Sequence, residues 1–77
     1  MNADMILERL AEIGEKLEFA ALEVERLRNA AAEDDPDAEV MICTCRIIEC
    51  AMRRASGKLW EEVRDTKRFL NNVRRSA

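Results

Sequence analysis

The chain predicts an all-α fold: an antiparallel hairpin of two long helices that pairs with a second copy to form a homodimeric four-helix bundle. Three observations lead there. Two long amphipathic stretches repeat with a heptad-like period, a short acidic break around Pro36 separates them, and the composition is helical throughout. Among 77 residues, 48% are hydrophobic and 38% charged, with only Phe19, Trp60 and Phe69 as aromatics and two glycines. Such a balance suits helices and disfavours both sheets and disorder. A chain this short forms one helical-hairpin domain over 1–77 and buries too little apolar surface to be comfortably stable alone.

The first predicted helix spans 3–32. Its apolar or small residues, Ile6, Leu10, Ile13, Leu17, Ala20, Val24, Leu27 and Ala31, follow a strict 4-3 spacing over four heptads. Asn2 is placed to cap the start, Asp4 and Glu8 suit the positive end of the helix dipole, and Arg26 and Arg28 suit the negative end. Glu12 and Lys16 form an i,i+4 pair.

The predicted turn covers 33–36, within the break Glu33-Asp34-Asp35-Pro36-Asp37. Asp35 reads as the cap of the second helix and Pro36 as its first residue, with Asp37 and Glu39 in the opening turn.

The second predicted helix runs 37–75. Its stripe is Met41, Cys45, Ile48, Met52, Ala55, Leu59, Val63, Thr66, Leu70 and Val73, with one stutter between Leu59 and Val63. Glu49 and Arg53 support it from the outside. Ser56-Gly57 is the weak point, since an interior glycine costs about 1 kcal/mol against alanine. A break there would give three helices; the stripe continues through it, so the helix is expected to run on, uninterrupted or kinked.

Charge is divided along the chain. Residues 1–40 carry twelve acids against four bases, a net −8, and residues 41–77 carry nine bases against four acids, a net +5. In an antiparallel hairpin with position i opposite about 70 − i, Glu15 is expected near Arg53 and Arg54, Glu12 near Lys58, and Glu23 near Arg46. The same register leaves everything after Lys67 projecting past the first helix.

Assembly is expected at the segment Val40 to Met52, which is apolar on nearly every side and cannot be covered by one neighbouring helix. Its dimer core would be Met41, Cys45, Ile47, Ile48 and Met52. Within the hairpin, the alanines at 20, 21, 30, 31 and 32 are expected to face Met41, Ile42, Ile47, Ile48 and Met52, small against large. The projecting strip, Lys67, Arg68, Phe69, Leu70, Val73, Arg74 and Arg75 together with Trp60, is expected to take a protein partner. A small patch of Met5, Phe19 and Leu22 lies on the outer side of the first helix.

Catalytic chemistry is not indicated. There is no histidine to serve as base, and Glu8, Glu12 and Glu15 flank the apolar stripe rather than pointing into it, as a di-iron site requires. Cys43, Cys45 and Cys50 cannot converge on a metal ion from one helix, because Cys45 points roughly 160° from Cys43 and Cys50 sits ~10 Å along the axis. They are expected to be buried small hydrophobes. No cofactor or metal is therefore expected. An odd cysteine count, no visible signal peptide in Met1 to Asp4 and no apolar run of membrane length suggest a cytoplasmic protein. The functional expectation is a non-enzymatic, dimeric interaction protein that docks on a larger protein and modulates, or inhibits, it. The second expectation is a nucleic-acid-binding regulator using Arg53, Arg54, Lys58 and Arg64, set against an overall acidic chain with pI ≈ 5.0.

Overall fold

The computed structural model describes residues 1–31 and 34–76. It is an all-α antiparallel hairpin of two helices, α1 (Ala3–Asn29) and α2 (Ala38–Ser76). The Cα trace measures 65 × 17 × 13 Å, so the hairpin is a single layer two helices wide.

Local chemistry sets the helix ends. Asn2 Oδ1 accepts the Met5 amide at 2.9 Å and caps α1, as its position predicts. At the other end the helix stops three residues short of 32. Ala30 donates to both Arg26 and Leu27 carbonyls, and Ala31 donates to Arg28, a tightening into i→i+3 bonds. Ala32 and Glu33, where the expected end of helix one meets the expected turn, lie outside the described residues. Asp35 acts one step earlier than expected. Its Oδ1 accepts the Asp37 amide at 2.9 Å and its carbonyl accepts the Ala38 amide at 3.0 Å, so Pro36 and Asp37 form a turn and α2 begins at Ala38.

Lettering the heptads so that Leu7 and Ile42 are a positions makes the packing plain. The deepest residues of α1 are Leu7, Gly14 and Ala21, every seventh residue, with half-buried Arg28 continuing the row. In α2 the a row is Ile42, Glu49, Ser56, Val63 and Leu70, of which Glu49, Ser56 and Val63 are buried. The d rows, Leu10, Leu17 and Val24 in α1 and Ala38, Cys45, Met52 and Leu59 in α2, complete the seam but stay less covered, apart from buried Ala38. The α2 seam keeps an uninterrupted 4-3 spacing, so there is no stutter.

The expected stripes are therefore corrected by one residue at every second position. Ile6, Ile13 and Leu27 in α1, and Met41, Ile48 and Ala55 in α2, lie outside the seam and are exposed. The cause is that small and polar residues hold the a row, so the helices pack on Gly14, Ala21 and Ser56 instead of on their most apolar stripes.

That choice of seam also carries α2 through Ser56-Gly57 without a break. Ser56 Oγ lies 3.3 Å from the Gly14 carbonyl oxygen and 3.3 Å from Glu18 Oε1, which satisfies the buried hydroxyl. Gly57 points into open space. Among the described residues, no helix is long and apolar enough to cross a membrane.

Candidate functional site: one open face and one closed face

In an antiparallel helix pair the g positions of both helices border one side of the seam and the e positions border the other. These two sides have opposite chemistry here. On the e side α1 presents Asp4, Ala11, Glu18 and Glu25, and α2 presents Arg46, Arg53, Trp60, Lys67 and Arg74. Charges close it. Arg74 Nη2 donates to Asp4 Oδ1 at 3.2 Å, and Arg53 Nη2 lies 3.8 Å from Glu25 Oε2. Trp60 packs over Gly14 from the same side, where a Cβ on the glycine would stand 3.2 Å from the indole ring.

On the g side α1 presents Ile6, Ile13, Ala20 and Leu27, and α2 presents Met41, Ile48, Ala55, Glu62 and Phe69, each at seven-residue intervals. Ile13 is 46% exposed, Leu27 66% and Phe69 67%. The two rows meet in an open apolar groove lined by Ile6, Leu10, Glu62 and Thr66, among others, with Leu7 and Val63 at its floor. The d residues lean toward this side, so the strict 4-3 stripe of α1 legible in the sequence is the open face plus half of the seam.

One ionic layer crosses the seam. Arg28 Nε donates to Glu49 Oε2 at 2.7 Å and Arg28 Nη2 to Glu49 Oε1 at 3.3 Å, a two-pronged contact, while Glu25 stands 3.7 Å from the same guanidinium. The Arg28 pKa is raised, first by the hydrogen bond to Glu49, against desolvation, and further by the charges of Glu49 and Glu25. Glu49 was expected outside beside Arg53; it is instead 7% exposed and bound to α1.

The other expected cross-helix pairs are replaced as well. Lys58 stays on its own helix, 3.1 Å from Glu62 and 3.9 Å from Glu61, and its pKa is raised chiefly by the hydrogen bond to Glu62 and by that carboxylate's charge. Arg53 reaches Glu25 rather than Glu15, and Arg9 rather than Lys16 lies by Glu12, at 3.4 Å. Between the helices, long side chains lean toward their own N-terminus, which sets Arg53 and Glu25 several residues apart in the Cα register.

The residues expected to take a partner do not form one strip. Phe69 and Val73 border the open face, Leu70 is half-buried against α1, Lys67 and Arg74 lie on the e side, and Arg68 and Arg75 face outward beside Asn71 and Asn72. Nor does the segment project freely after Lys67, because Leu70 lines the groove with Ala3 and Arg74 reaches Asp4. The nucleic-acid candidates diverge too. Arg53 pairs with Glu25, Lys58 with Glu61 and Glu62, and Arg64 with Asp65; among the described residues no ion pair involves Arg54.

Of the expected dimer core, Met41, Cys45, Ile48 and Met52 share the d/g side, while Ile47 faces outward at 71% exposure beside Arg46 and Arg54. Cys43 and Cys50 are exposed and Cys45 is half-buried, so the expectation of three buried thiols is corrected in the isolated chain. Met5 and Phe19 are exposed on the outer side of α1; Leu22, also exposed, borders a shallow hollow with Glu15, Glu18 and Phe19 and, toward α2, a second hollow with Arg53, Ser56 and Gly57. No protein family matches the chain, and comparison with curated proteins and with solved structures likewise yields no match.

Proposed function

We propose that this chain is a small non-enzymatic interaction protein that works as a dimeric helical bundle and docks on a larger protein, whose activity it modulates. One observation carries the reading: α2 has two working surfaces that point in opposite directions. The d/g side is apolar, and roughly 180° around the helix the e and f positions repeat as basic pairs, Arg53-Arg54, Lys67-Arg68 and Arg74-Arg75. Assembly through the first surface leaves the second outward. Among the described residues no ion pair engages Arg54, Lys67, Arg68 or Arg75, so their charge is available to an acidic protein surface.

Arg68→Glu combined with Arg75→Glu tests this. Proteins captured by the wild-type chain and lost by the variant, with the variant's helicity and mass unchanged, support the reading; identical capture by both overturns it. The runner-up uses the same basic row on nucleic acid, favoured by its recurrence on one side of α2, at intervals of fourteen and seven residues with Trp60-Glu61 between, along ~30 Å of helix. Binding to generic RNA or duplex DNA that falls steeply with rising salt would select it.

A further inference from the structure

We infer that the open apolar face of the hairpin is covered by the same face of a second copy of this chain, an inference that rests on the dimeric reading above and assigns its interface.

The amount of exposed surface is the first reason. A folded monomer of 8.9 kDa is expected to expose about 4,800 Å². This chain exposes 6191 Å², about 1,400 Å² more. A standard dimer covers roughly 800 Å² on each partner, so the excess is of the size that one interface removes. Its location is the second reason. The hairpin is 13 Å thick at its thinnest, a single layer, and a stable domain places a second layer against its apolar side.

The third reason is the repeat itself. Ile6, Ile13 and Leu27 on α1, and Met41, Ile48 and Phe69 on α2, recur at multiples of seven residues, the period that knobs-into-holes packing against further helices requires. The occupant must therefore present helices of matching pitch and an apolar surface, since Glu62 is the lone charge in the two g rows. A second copy meets both conditions by construction. The closed side does not compete, because its ion pairs Asp4–Arg74 and Glu25–Arg53 already link the two helices there.

Sedimentation equilibrium of the full chain, from about 1 to 50 µM, reads the assembly directly. The expected mass is twice 8.9 kDa. Ile13→Glu, on the open face, should raise the dissociation constant by about two orders of magnitude, while Phe19→Glu, on the outer side of α1, should leave it unchanged. Should Ile13→Glu fail to fold, Ile13→Ala keeps helix propensity and still weakens the dimer by about tenfold. A fully helical monomer at the highest concentration overturns the inference and gives the face to another protein. So does a dimer weakened by Phe19→Glu but not by Ile13 variants. A monomer that still captures a partner through Arg68 and Arg75 leaves the interaction reading standing, so the two failures are separable.

Discussion

Gly14 lies so close to Leu59 that a Cβ on it would stand 3.1 Å from Leu59 Cδ2, with the Trp60 ring at 3.2 Å. Gly57, in the middle of α2, has nothing within 4 Å of the same position. The two glycines therefore respond unequally to alanine. Gly57→Ala is expected to gain about 1 kcal/mol of helix propensity and raise the melting temperature by about 4–8 °C. At Gly14 the same intrinsic gain is offset by displacement of Leu59 and a stiff indole, so Gly14→Ala should gain less than Gly57→Ala, and Gly14→Leu should separate the helices and melt far below wild type. Thermal unfolding followed by circular dichroism ranks the three, and a Gly14→Ala gain equal to that of Gly57→Ala would show that the approach is not close.

Arg28 and Glu49 test what an ionic layer does in the seam. Glu49 is buried, and removing its partner by Arg28→Leu leaves a carboxylate without its two donors. Each single leucine variant should therefore melt below wild type, and the double Leu variant should recover stability relative to both, since two well-packed leucines replace the pair without an uncompensated charge. A double variant that melts at the sum of the two losses would show that the residues act independently.

These residues explain what the sequence disclosed and what it hid. Apolar spacing correctly identified two long antiparallel helices, and Leu10, Leu17 and Val24 of its first stripe are indeed in the seam. It could not find the deepest row. Periodicity weights apolar side chains, whereas Gly14 and Ser56 enter the seam because they are small, and Arg28 and Glu49 because they satisfy each other. The strict 4-3 apolar stripe of α1, with Ile6, Ile13 and Leu27, is the one a hairpin leaves half open. The surplus of apolar rows over seam positions was itself a signal, because two helices that need only one face each carry a second. The overhang expected after Lys67 fails for a different reason. Counting residues from the turn put Lys67 opposite Ala3, but Leu70 packs there instead, and the lean of long side chains brings Arg74 to Asp4.

The thiols report on coverage of the open face. Cys43 and Cys50 are exposed at positions roughly 140–160° around α2 from that face, while Cys45 is half-buried in the d row on the open side. Two thiols should react quickly with a disulfide reagent at all concentrations, and Cys45 should react at least about tenfold more slowly, since reactivity follows access to the thiolate. Dilution below the dimer dissociation constant should speed Cys45 alone. Three equal rates would mean that nothing covers Cys45, and selective protection of Cys43 or Cys50 would place the contact on the outer side.

Shortening the chain after Thr66 decides whether the last turns of α2 belong to the hairpin. Leu70 is half-buried in the groove wall with Ala3, Ile6 and Leu7, so deletion should cost about half of a full leucine burial, near 0.8–1.5 kcal/mol. The exposed Asp4–Arg74 pair adds at most about 1 kcal/mol. Together these lower the melting temperature by about 5–15 °C. The damage should be local, seen as faster amide exchange in the first turns of α1, from Met5 to Leu10, because those residues lose the side chains packed on them. Leu70→Ala alone should reproduce most of the loss, while Phe69→Ala, at an exposed g position, should leave the hairpin's own exchange pattern unchanged below the dimer dissociation constant. If truncation alters neither melting nor exchange, the segment after Thr66 is a free extension and the contact of Leu70 with α1 contributes nothing.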